Sequence, residues 1–392
     1  MDSRFGRPMR RLWHLAGDAT FLNHGSFGAC PKEVLAEQDR IRQSMESQPD
    51  WFFREEIMPR EGETALRAAA ARLGAFVRAG RDDIAFVENA TAGTQAALRS
   101  VELAPGDQVL MTEHGYNAVR LMVEARCVQS GATPLVVRIP VPATADEVVG
   151  RIAEAITPSV RLAIVDHITS PTALLLPLER IIPELRRFDA RVLVDGAHAV
   201  GQIPLDLAAL RPDWYVSNAH KWLFAPKGCA FLYASSGVAP MTRPNVVSHF
   251  IDAGFPASFD YTGTRDNSAW LAAPAAIGFF ERLDPEAARA YQRRLIGTAS
   301  DLMAGIGARP VGPIEMCAAM RAFVLPQGRP ATPQDAAELT RVMWELERIQ
   351  TQVKAFGPEL LLRVSAQVYV DEDDLGRLTE ALERNGWPAR SM

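Results

Sequence analysis

The residues of this sequence most able to do chemistry are an amine and a carboxylate that each follow a short apolar segment. Lys221 closes the motif SNAHK that begins at Ser217, and Asp195 follows the apolar run 192–194. A lysine amine can form an imine with an aldehyde, and a buried carboxylate can keep a pyridine nitrogen protonated. Parallel sheets gather their ligands beyond the carboxyl ends of their strands, so we expect both groups to face one site. The pair predicts a site for pyridoxal 5'-phosphate (PLP).

Such a site also needs a place for a phosphate. The segment 88–94, ENATAGT, lies between a predicted strand and a predicted helix. Small residues at a helix start let backbone N–H groups approach a dianion, and the helix dipole adds attraction. Thr91 as an ordinary N-cap is the alternative. Beside Lys221 and Asp195, the phosphate interpretation is favoured.

The elements that position these groups follow from the hydrophobic pattern. Short β-branched runs alternate with Ala-, Leu- and Arg-rich helical segments, which is typical of an α/β fold. The predicted strands are 84–87, 108–112, 134–139, 162–165, 191–194, 214–216 and 230–233. The predicted helices are 63–76, 93–101, 117–129, 146–155 and 178–188. After about residue 269 the pattern predicts a second α+β domain, with strands 320–325 and 361–365 and helices 333–348 and 373–385.

Composition limits the class of protein. A chain of 392 residues exceeds what one hydrophobic core usually serves. Its net charge of −5 predicts no broad attraction to nucleic acid or to anionic membranes. No apolar run is long enough to span a bilayer and the N-terminus lacks the apolar stretch of a signal peptide, so a cytoplasmic location is expected. The 4 cysteines lie far apart without CxxC spacing, so we expect reduced core thiols and no metal site.

Several segments together resemble the class V aminotransferase family of fold-type I PLP enzymes, and within it the isopenicillin N epimerase branch. They occur in order between about residue 20 and about residue 370 and have the sequences FLNHGSFG, DHITSPT, DGAHA, NAHKWL, APKG and YTGTRD. The resemblance implies a large PLP-binding α/β domain over residues 26–268 with a central, mostly parallel seven-stranded sheet. A smaller α+β domain would cover residues 269–392, and an N-terminal segment, residues 1–25, would pack with it.

The resemblance also implies a role for each cofactor-binding residue. Lys221 would hold the cofactor as an imine, Asp195 would pair with the pyridine nitrogen, and His114 would stack on the ring. Thr264 would reach the phosphate of the neighbouring subunit, which implies a homodimer with shared sites. The other implied cofactor-binding residues are Thr91, Ala92 and Gly93 at the phosphate, with backbone N–H donors from the last two, Ser170, His198 near the phenolic oxygen, and Asn218 and His220 as side-chain donors.

We expect a small amino-acid-like substrate whose carboxylate is held by arginine. Arg363 interrupts the apolar run 361–365 and resembles the Arg-x-Ser strand with which class V enzymes bind the α-carboxylate. An edge-strand arginine facing water is the alternative. Arg54 and Arg265 are weaker candidates for a second substrate anion or an interface pair. The resemblance places Asn23 and His24 near the mouth of the site, where a turn-forming role for His24 is the alternative.

No motif encodes the reaction, because one cofactor imine supports racemisation, transamination, elimination and decarboxylation. The resemblance favours an epimerase or racemase in which Lys221 removes the α-proton, and a C–S lyase and an aminotransferase are the alternatives. Epimerisation also needs a second acid, which the sequence does not identify. Desulfurase chemistry is disfavoured because Cys317 leads into a predicted strand without a neighbouring histidine. A PLP-binding regulatory module is the non-enzyme alternative, and the lysine argues against it.

Overall fold

The structure, a computed structural model, describes residues 4–387. Its strands are β1 (Thr20–Phe21), β2 (Ile84–Val87), β3 (Gln108–Thr112), β4 (Thr133–Val137), β5 (Val160–Asp166), β6 (Arg191–Asp195), β7 (Trp214–Ser217), β8 (Ala230–Ala234), β9 (Arg309–Pro310), β10 (Met320–Leu325), β11 (Ile349–Gln350), β12 (Gln352–Phe356) and β13 (Glu359–Ser365). Its α-helices are α1 (His24–Phe27), α2 (Lys32–Ser47), α3 (Pro49–Phe52), α4 (Ala65–Phe76), α5 (Ala90–Arg99), α6 (Asn117–Ser130), α7 (Ala145–Ala155), α8 (Leu178–Leu185), α9 (Leu207–Leu210), α10 (Ala257–Asp260), α11 (Ser268–Leu271), α12 (Ala273–Arg282), α13 (Pro285–Gly305), α14 (Pro333–Glu345) and α15 (Glu372–Arg384).

The central element is a seven-stranded sheet in the order β2-β8-β7-β6-β5-β3-β4. The neighbours from β4 to β7 pair in parallel, and β8 runs antiparallel to both β7 and β2. Alternate residues of β6 enter two different hydrophobic clusters, with Val192 and Val194 in one and Leu193 in the other. Both faces of the sheet are therefore buried, as parallel sheets require. The predicted α/β fold with a mostly parallel seven-stranded sheet is confirmed.

Two strand ends matter for the site. The β5 strand extends to Asp166 and the β6 strand to Asp195, one residue beyond the predicted ends. The backbones of Asp166 and Asp195 are therefore fixed by pairing between neighbouring strands, so neither residue lies in a loop. Helix α5 begins at Ala90, three residues before the predicted start, because the Asn89 side chain caps it by accepting from the Ala92 amide.

A second, antiparallel sheet in the order β12-β13-β10-β9 lies in the C-terminal part of the chain. The sequence predicts β10 and β13 but misses β9 and β12. The N-terminal segment contacts this part, because β1 pairs in parallel with β11. The domain boundaries remain a prediction.

The cysteines and the helices bear on two further expectations. Cys30, Cys127, Cys229 and Cys317 are buried free thiols. Between residues 4 and 387, no helix combines the length and apolar character needed to cross a bilayer.

Candidate active site

A cavity of about 660 Å³ opens at the carboxyl ends of β5, β6 and β7. Open parallel sheets bind their ligands at this edge. Residues of β12 and β13, in the smaller antiparallel sheet, also line the cavity. Residues from distant parts of the chain therefore share one site. The predicted site residues that line it are Thr91, Ser170, Asp195, His198, Asn218, His220, Lys221 and Arg363.

The Lys221 amine lies in this cavity beside an imidazole. Its Nζ is 3.4 Å from Nε2 of His198. Burial, followed by the positive charge of Arg363, lowers the pKa of Lys221 to about 7. The lysine backbone passes close to Gly28, where a Cβ would lie 2.9 Å from the Lys221 Cα and where φ is +70°. Only glycine fits this close contact without strain. Because the pKa of Lys221 is lowered to about 7, a large fraction of the lysine is a neutral amine at neutral pH.

His24 supports the lysine from behind. Its Nε2 donates to the Lys221 carbonyl at 2.9 Å, and its Nδ1 accepts from the Tyr369 hydroxyl at 2.7 Å. The residue is fully buried and does not line the cavity. Burial lowers the pKa of His24 to about 3, so the ring is neutral. The structure does not support the predicted substrate contact of His24, because both ring nitrogens are already hydrogen-bonded to other residues.

Two carboxyl groups share the edge of the sheet. Asp166 and Asp195 are register partners on β5 and β6, and both line the cavity. Burial, followed by the charge of Asp195, raises the pKa of Asp166 well above its usual value, and burial also raises the pKa of Asp195. Asp166 was not a predicted site residue, although it follows a predicted strand in the same way as Asp195. That shared position was the missed signal.

The N-terminus of α5 contacts the same cavity, but through residues that differ from the prediction. The amides of Ala92 and Gly93 already donate to the Asn89 side chain and carbonyl, at 2.9 and 3.1 Å, and neither residue lines the cavity. Gly93 is small for another reason, since a Cβ there would lie 2.9 Å from Val216 Cγ1. The structure therefore does not support the predicted donor role of these two amides. Thr91 lines the cavity, and its amide and hydroxyl have no hydrogen-bond partner within residues 4–387.

Asn218 and His220 complete this end of the cavity. The Asn218 Oδ1 accepts from the Ala90 amide at 2.8 Å, which ties the lysine loop to the start of α5. The His220 Nδ1 donates to the Cys229 carbonyl at 3.0 Å. Its Nε2 can therefore donate to an anion only when the ring is doubly protonated. Burial lowers the pKa of His220 to about 4, and a bound dianion would raise it again.

His114 does not face the cavity. It is fully buried, its Nε2 donates to the Ile139 carbonyl, and its Nδ1 accepts from the Thr172 hydroxyl. A ring that stacks on a ligand must be accessible before the ligand binds, so the structure does not support the predicted stacking role of His114. Tyr116, an aromatic residue of the same loop that is 42% exposed, lines the cavity instead. The Glu113-His114 motif identifies the loop that contributes to the site, but it does not determine which side chain of that loop faces the cavity.

Arg363 is the strongest candidate for binding a carboxylate. It is 1% exposed and lines the cavity. Its guanidinium donates to the Ser170 carbonyl at 2.6 Å, to the Ser26 hydroxyl at 3.0 Å and to the Asn23 side chain at 3.2 Å. None of these acceptors is charged, and Nε is buried without a partner in the described chain. Burial lowers the pKa of Arg363, so its charge needs an anion, which a substrate carboxylate would supply.

The remaining predicted residues lie outside the cavity of this chain. Arg54 is exposed and pairs with Asp50 at 2.8 Å. Arg265 lies 3.9 Å over the Trp270 ring and is ion-paired with Glu88. Neither arginine lines the cavity, so the structure does not support their substrate-binding role within one subunit. Thr264 is exposed and shares a hydrogen bond with the Tyr261 hydroxyl at 3.0 Å.

The residues present fit PLP. The amine of Lys221 can form an imine. The buried Asp195 carboxyl is influenced by the charge of Lys221 but forms no ion pair among residues 4–387, and a pyridinium would supply one. The buried Nδ1 of His198 has no partner in the described part of the chain. Thr91 at the start of α5 offers donors for a phosphate. These four positions all contact one cavity.

The sequence comparisons agree with this geometry. Residues 42–336 match the model of the family described as Aminotransferase class-V. The chain belongs to the class V aminotransferase family. It is 34% identical to an isopenicillin N epimerase of Amycolatopsis lactamdurans, over 93% of this chain and 94% of that protein. It is 31% identical to a probable chloroplastic L-cysteine desulfhydrase of Arabidopsis thaliana, over 97% of this chain and 86% of that protein. Family membership makes the protein an enzyme with PLP as its cofactor.

Solved structures show the same fold. An apo cysteine desulfurase from Thermococcus onnurineus NA1 superposes with a TM-score of 0.81 at 15% identity, covering 98% of each chain. A cystine C–S lyase in complex with cysteine persulfide gives a TM-score of 0.78 at 19% identity, over 93% of this chain and 97% of the other. The fold-type I assignment is therefore confirmed.

Proposed function

We propose that the protein is a PLP-dependent lyase that removes the α-proton of an amino acid and expels a substituent from its β-carbon. The bound cofactor would supply the electron sink for the charge that develops at the α-carbon. The α C–H bond breaks with its proton going to the Lys221 amine, and the bond to the β-substituent breaks with its electron pair going to that group. Net, the substrate and one water give a 2-oxo acid, ammonia and the protonated leaving group.

The observation that carries this proposal is the Lys221 amine, whose pKa is lowered to about 7 in a cavity that Arg363 also lines. A base whose pKa lies near the working pH is the most effective at taking a proton and giving it back. Arg363 would hold the α-carboxylate and so fix the substrate relative to the amine. One base is sufficient for elimination, since the proton taken from the α-carbon can pass to the leaving group.

Epimerisation requires a second acid, because a proton must be returned to the opposite face of the α-carbon. Burial lowers the pKa of His198 well below its usual value, so this ring is uncharged near neutral pH and is a poor second acid. His114 is sealed behind the cavity wall. Relatives named for L-cysteine desulfhydrase activity also support elimination.

An epimerase is the second candidate, and Tyr116 is the observation that favours it. Its hydroxyl-bearing ring lines the cavity and is partly exposed. Relatives named isopenicillin N epimerase support the same alternative. If this candidate were correct, Tyr116→Phe would remove inversion and leave α-proton exchange in place.

The test is to incubate the holoenzyme with a panel of amino acids in heavy water. Deuterium at the α-carbon and the release of 2-oxo acid, ammonia and sulfide are followed together, with Lys221→Ala as the inactive control. We expect release of products that depends on Lys221. Exchange and inversion without release would instead establish the epimerase, and conversion of the cofactor to its pyridoxamine form would establish transamination.

We also propose that the enzyme works in the cytoplasm as a homodimer in which Thr264 reaches the phosphate site of the partner subunit. Thr264 is exposed and does not line the cavity of its own chain, which supports a role in trans. Phe27, at the cavity mouth, is 74% exposed and is suited to being covered by a second subunit. Light scattering of the purified protein and loss of cofactor affinity in Thr264→Val would test the arrangement.

A further inference from the structure

One side of the cavity is formed by a hairpin whose side chains have no assigned role. In the antiparallel pair β12 and β13, Gln352 lies directly opposite Arg363, and Lys354 follows two residues later. Residues that are directly opposite, and residues two apart on one strand, project from the same face of a sheet. Arg363, Gln352 and Lys354 therefore point the same way, and all three line the cavity.

The Oε1 atom of Gln352 and the ammonium group of Lys354 have no protein partner among residues 4–387. The Gln352 Oε1 is buried and accepts no hydrogen bond within the described residues. Among residues 4–387, no carboxylate forms an ion pair with Lys354, and none contributes to the shift of its pKa. Burial, followed by the charge of Arg363, lowers the pKa of Lys354, which is the effect expected of a cation placed beside another cation without an anion between them.

The acid at the cavity mouth does not compensate for this charge. Glu88 lines the cavity but is ion-paired with Arg265. The cofactor phosphate is expected at the start of α5, where Thr91 and Asn218 lie, on elements of the large sheet. Lys354 belongs to the small sheet, next to the carboxylate-binding Arg363. An anion for Lys354 would therefore come from the substrate.

The choice of lysine here is unusual for this chain. Of 42 basic residues only four are lysines, Lys32, Lys221, Lys227 and Lys354, and the last three line this one cavity. A flexible ammonium serves as a point charge that can follow ligands of different length, whereas arginine presents a rigid fork.

We propose that Lys354, with Gln352 beside it, binds a second anionic group of the substrate, so that the enzyme prefers amino acids whose β-substituent ends in an anion such as a carboxylate. This inference rests on the proposed function, because it assumes that Arg363 holds the α-carboxylate. Diagonal neighbours on paired strands start about 7 Å apart. The second anion would therefore lie a few bonds beyond the β-carbon.

The test compares S-carboxymethyl-L-cysteine with S-carbamoylmethyl-L-cysteine, which are nearly isosteric and differ in one negative charge. Holoenzyme of the wild type, Lys354→Met, Lys354→Arg and the exposed-lysine control Lys32→Met would be used. Dissociation constants come from the change in cofactor absorbance, and α-proton exchange is followed by NMR in heavy water. Neither readout requires that the β-substituent leaves.

We expect the wild type to favour the carboxymethyl compound by about tenfold or more in affinity and in exchange efficiency, the effect of one charge-assisted hydrogen bond. The preference should disappear in Lys354→Met, persist in Lys354→Arg and be unchanged in Lys32→Met. Cofactor affinity should stay the same in Lys354→Met.

The subsite would be overturned by no preference in the wild type, or by an equal preference in the wild type and Lys354→Met. It would also be overturned if Lys354→Met bound the cofactor more weakly and kept the preference, because Lys354 would then belong to the phosphate site. Failure of the proposed function looks different. In that case no product forms from any amino acid, while the two dissociation constants still report on the second anion.

Discussion

Asp166 and Asp195 end neighbouring parallel strands in register, and their carboxyl groups are buried at the same cavity. Burial, followed by the charge of Asp195, raises the pKa of Asp166, so this carboxyl keeps its proton to a higher pH than an exposed one. Asp195 is the group expected to face the pyridine nitrogen of PLP. The protonation of Asp166 therefore depends on the charge of Asp195, although Asp166 has no assigned contact with the cofactor.

This relationship predicts a pH dependence of the apoprotein. The pKa of Asp166 is raised in the folded state, so the folded chain binds more protons than the unfolded chain, and stability falls as pH rises from the ordinary carboxyl pKa through the raised one. Asp166→Asn removes this group, and its unfolding free energy should decline less steeply with pH, by at most about 1.4 kcal/mol per pH unit. Denaturant unfolding of both apoproteins between about pH 4.5 and 8 measures this. Parallel profiles would show that Asp166 does not hold the proton.

A second prediction concerns the Lys221 amine. Because the pKa of Lys221 is lowered to about 7, the neutral amine becomes the major form as pH rises past that value. The rate at which apoprotein takes up PLP as an imine should therefore rise with pH around a midpoint near 7 and level off above it. Stopped-flow absorbance records the rate, and Lys221→Ala is the control without imine formation. A midpoint near the ordinary lysine value of 10.5 would contradict the lowered pKa.

The sequence predicts part of this site and misses another part for physical reasons. Asp195 and Lys221 are found because each follows an apolar run that forms a buried strand. His24 and His114 lie in recognisable motifs, but a motif locates a loop and does not fix the direction of a ring. Those directions depend on partners distant in sequence, such as Tyr369 for His24.

The hairpin that carries Lys354 shows a second reason why part of the site could not be predicted from the sequence. The strand β12, QVKAF, is short and at the edge of its sheet, so it has a weak hydrophobic pattern. Its relation to Arg363 comes from the register with β13, which pairs Gln352 with Arg363. Register between strands is a tertiary property that one sequence segment does not reveal.

A third prediction tests the carboxylate anchor. Arg363→Ala should lower kcat/KM for amino acids by about 10- to 150-fold, the effect of losing hydrogen bonds to a charged group, with most of the change in KM. Arg363→Lys should recover only part of the loss, because the ammonium cannot reproduce the planar fork. Arg40→Ala, which removes an exposed arginine paired with Glu37, is the matched control. An unchanged KM in Arg363→Ala would place the anchor elsewhere.

A fourth prediction separates support from substrate binding at His24. The ring bridges the Tyr369 hydroxyl and the Lys221 carbonyl, and it is fully buried. His24→Ala should lower the unfolding free energy by about 2 to 4 kcal/mol through a cavity and two lost hydrogen bonds. KM should change little. A raised KM with unchanged stability would restore the substrate contact that the structure argues against.

The last prediction concerns sulfur chemistry. Cys317 lines a separate cavity, together with Gln202 and Met316, and not the cavity of Lys221. Burial raises the pKa of the Cys317 thiol to about 11, so at neutral pH it is protonated and a poor nucleophile. If sulfide is released from cysteine by elimination, Cys317→Ala should release it at nearly the wild-type rate, without a protein persulfide detectable by mass spectrometry. Loss of sulfide release in this variant, with folding and PLP content intact, would mean that a cysteine carries the sulfur and that the reaction is a desulfuration.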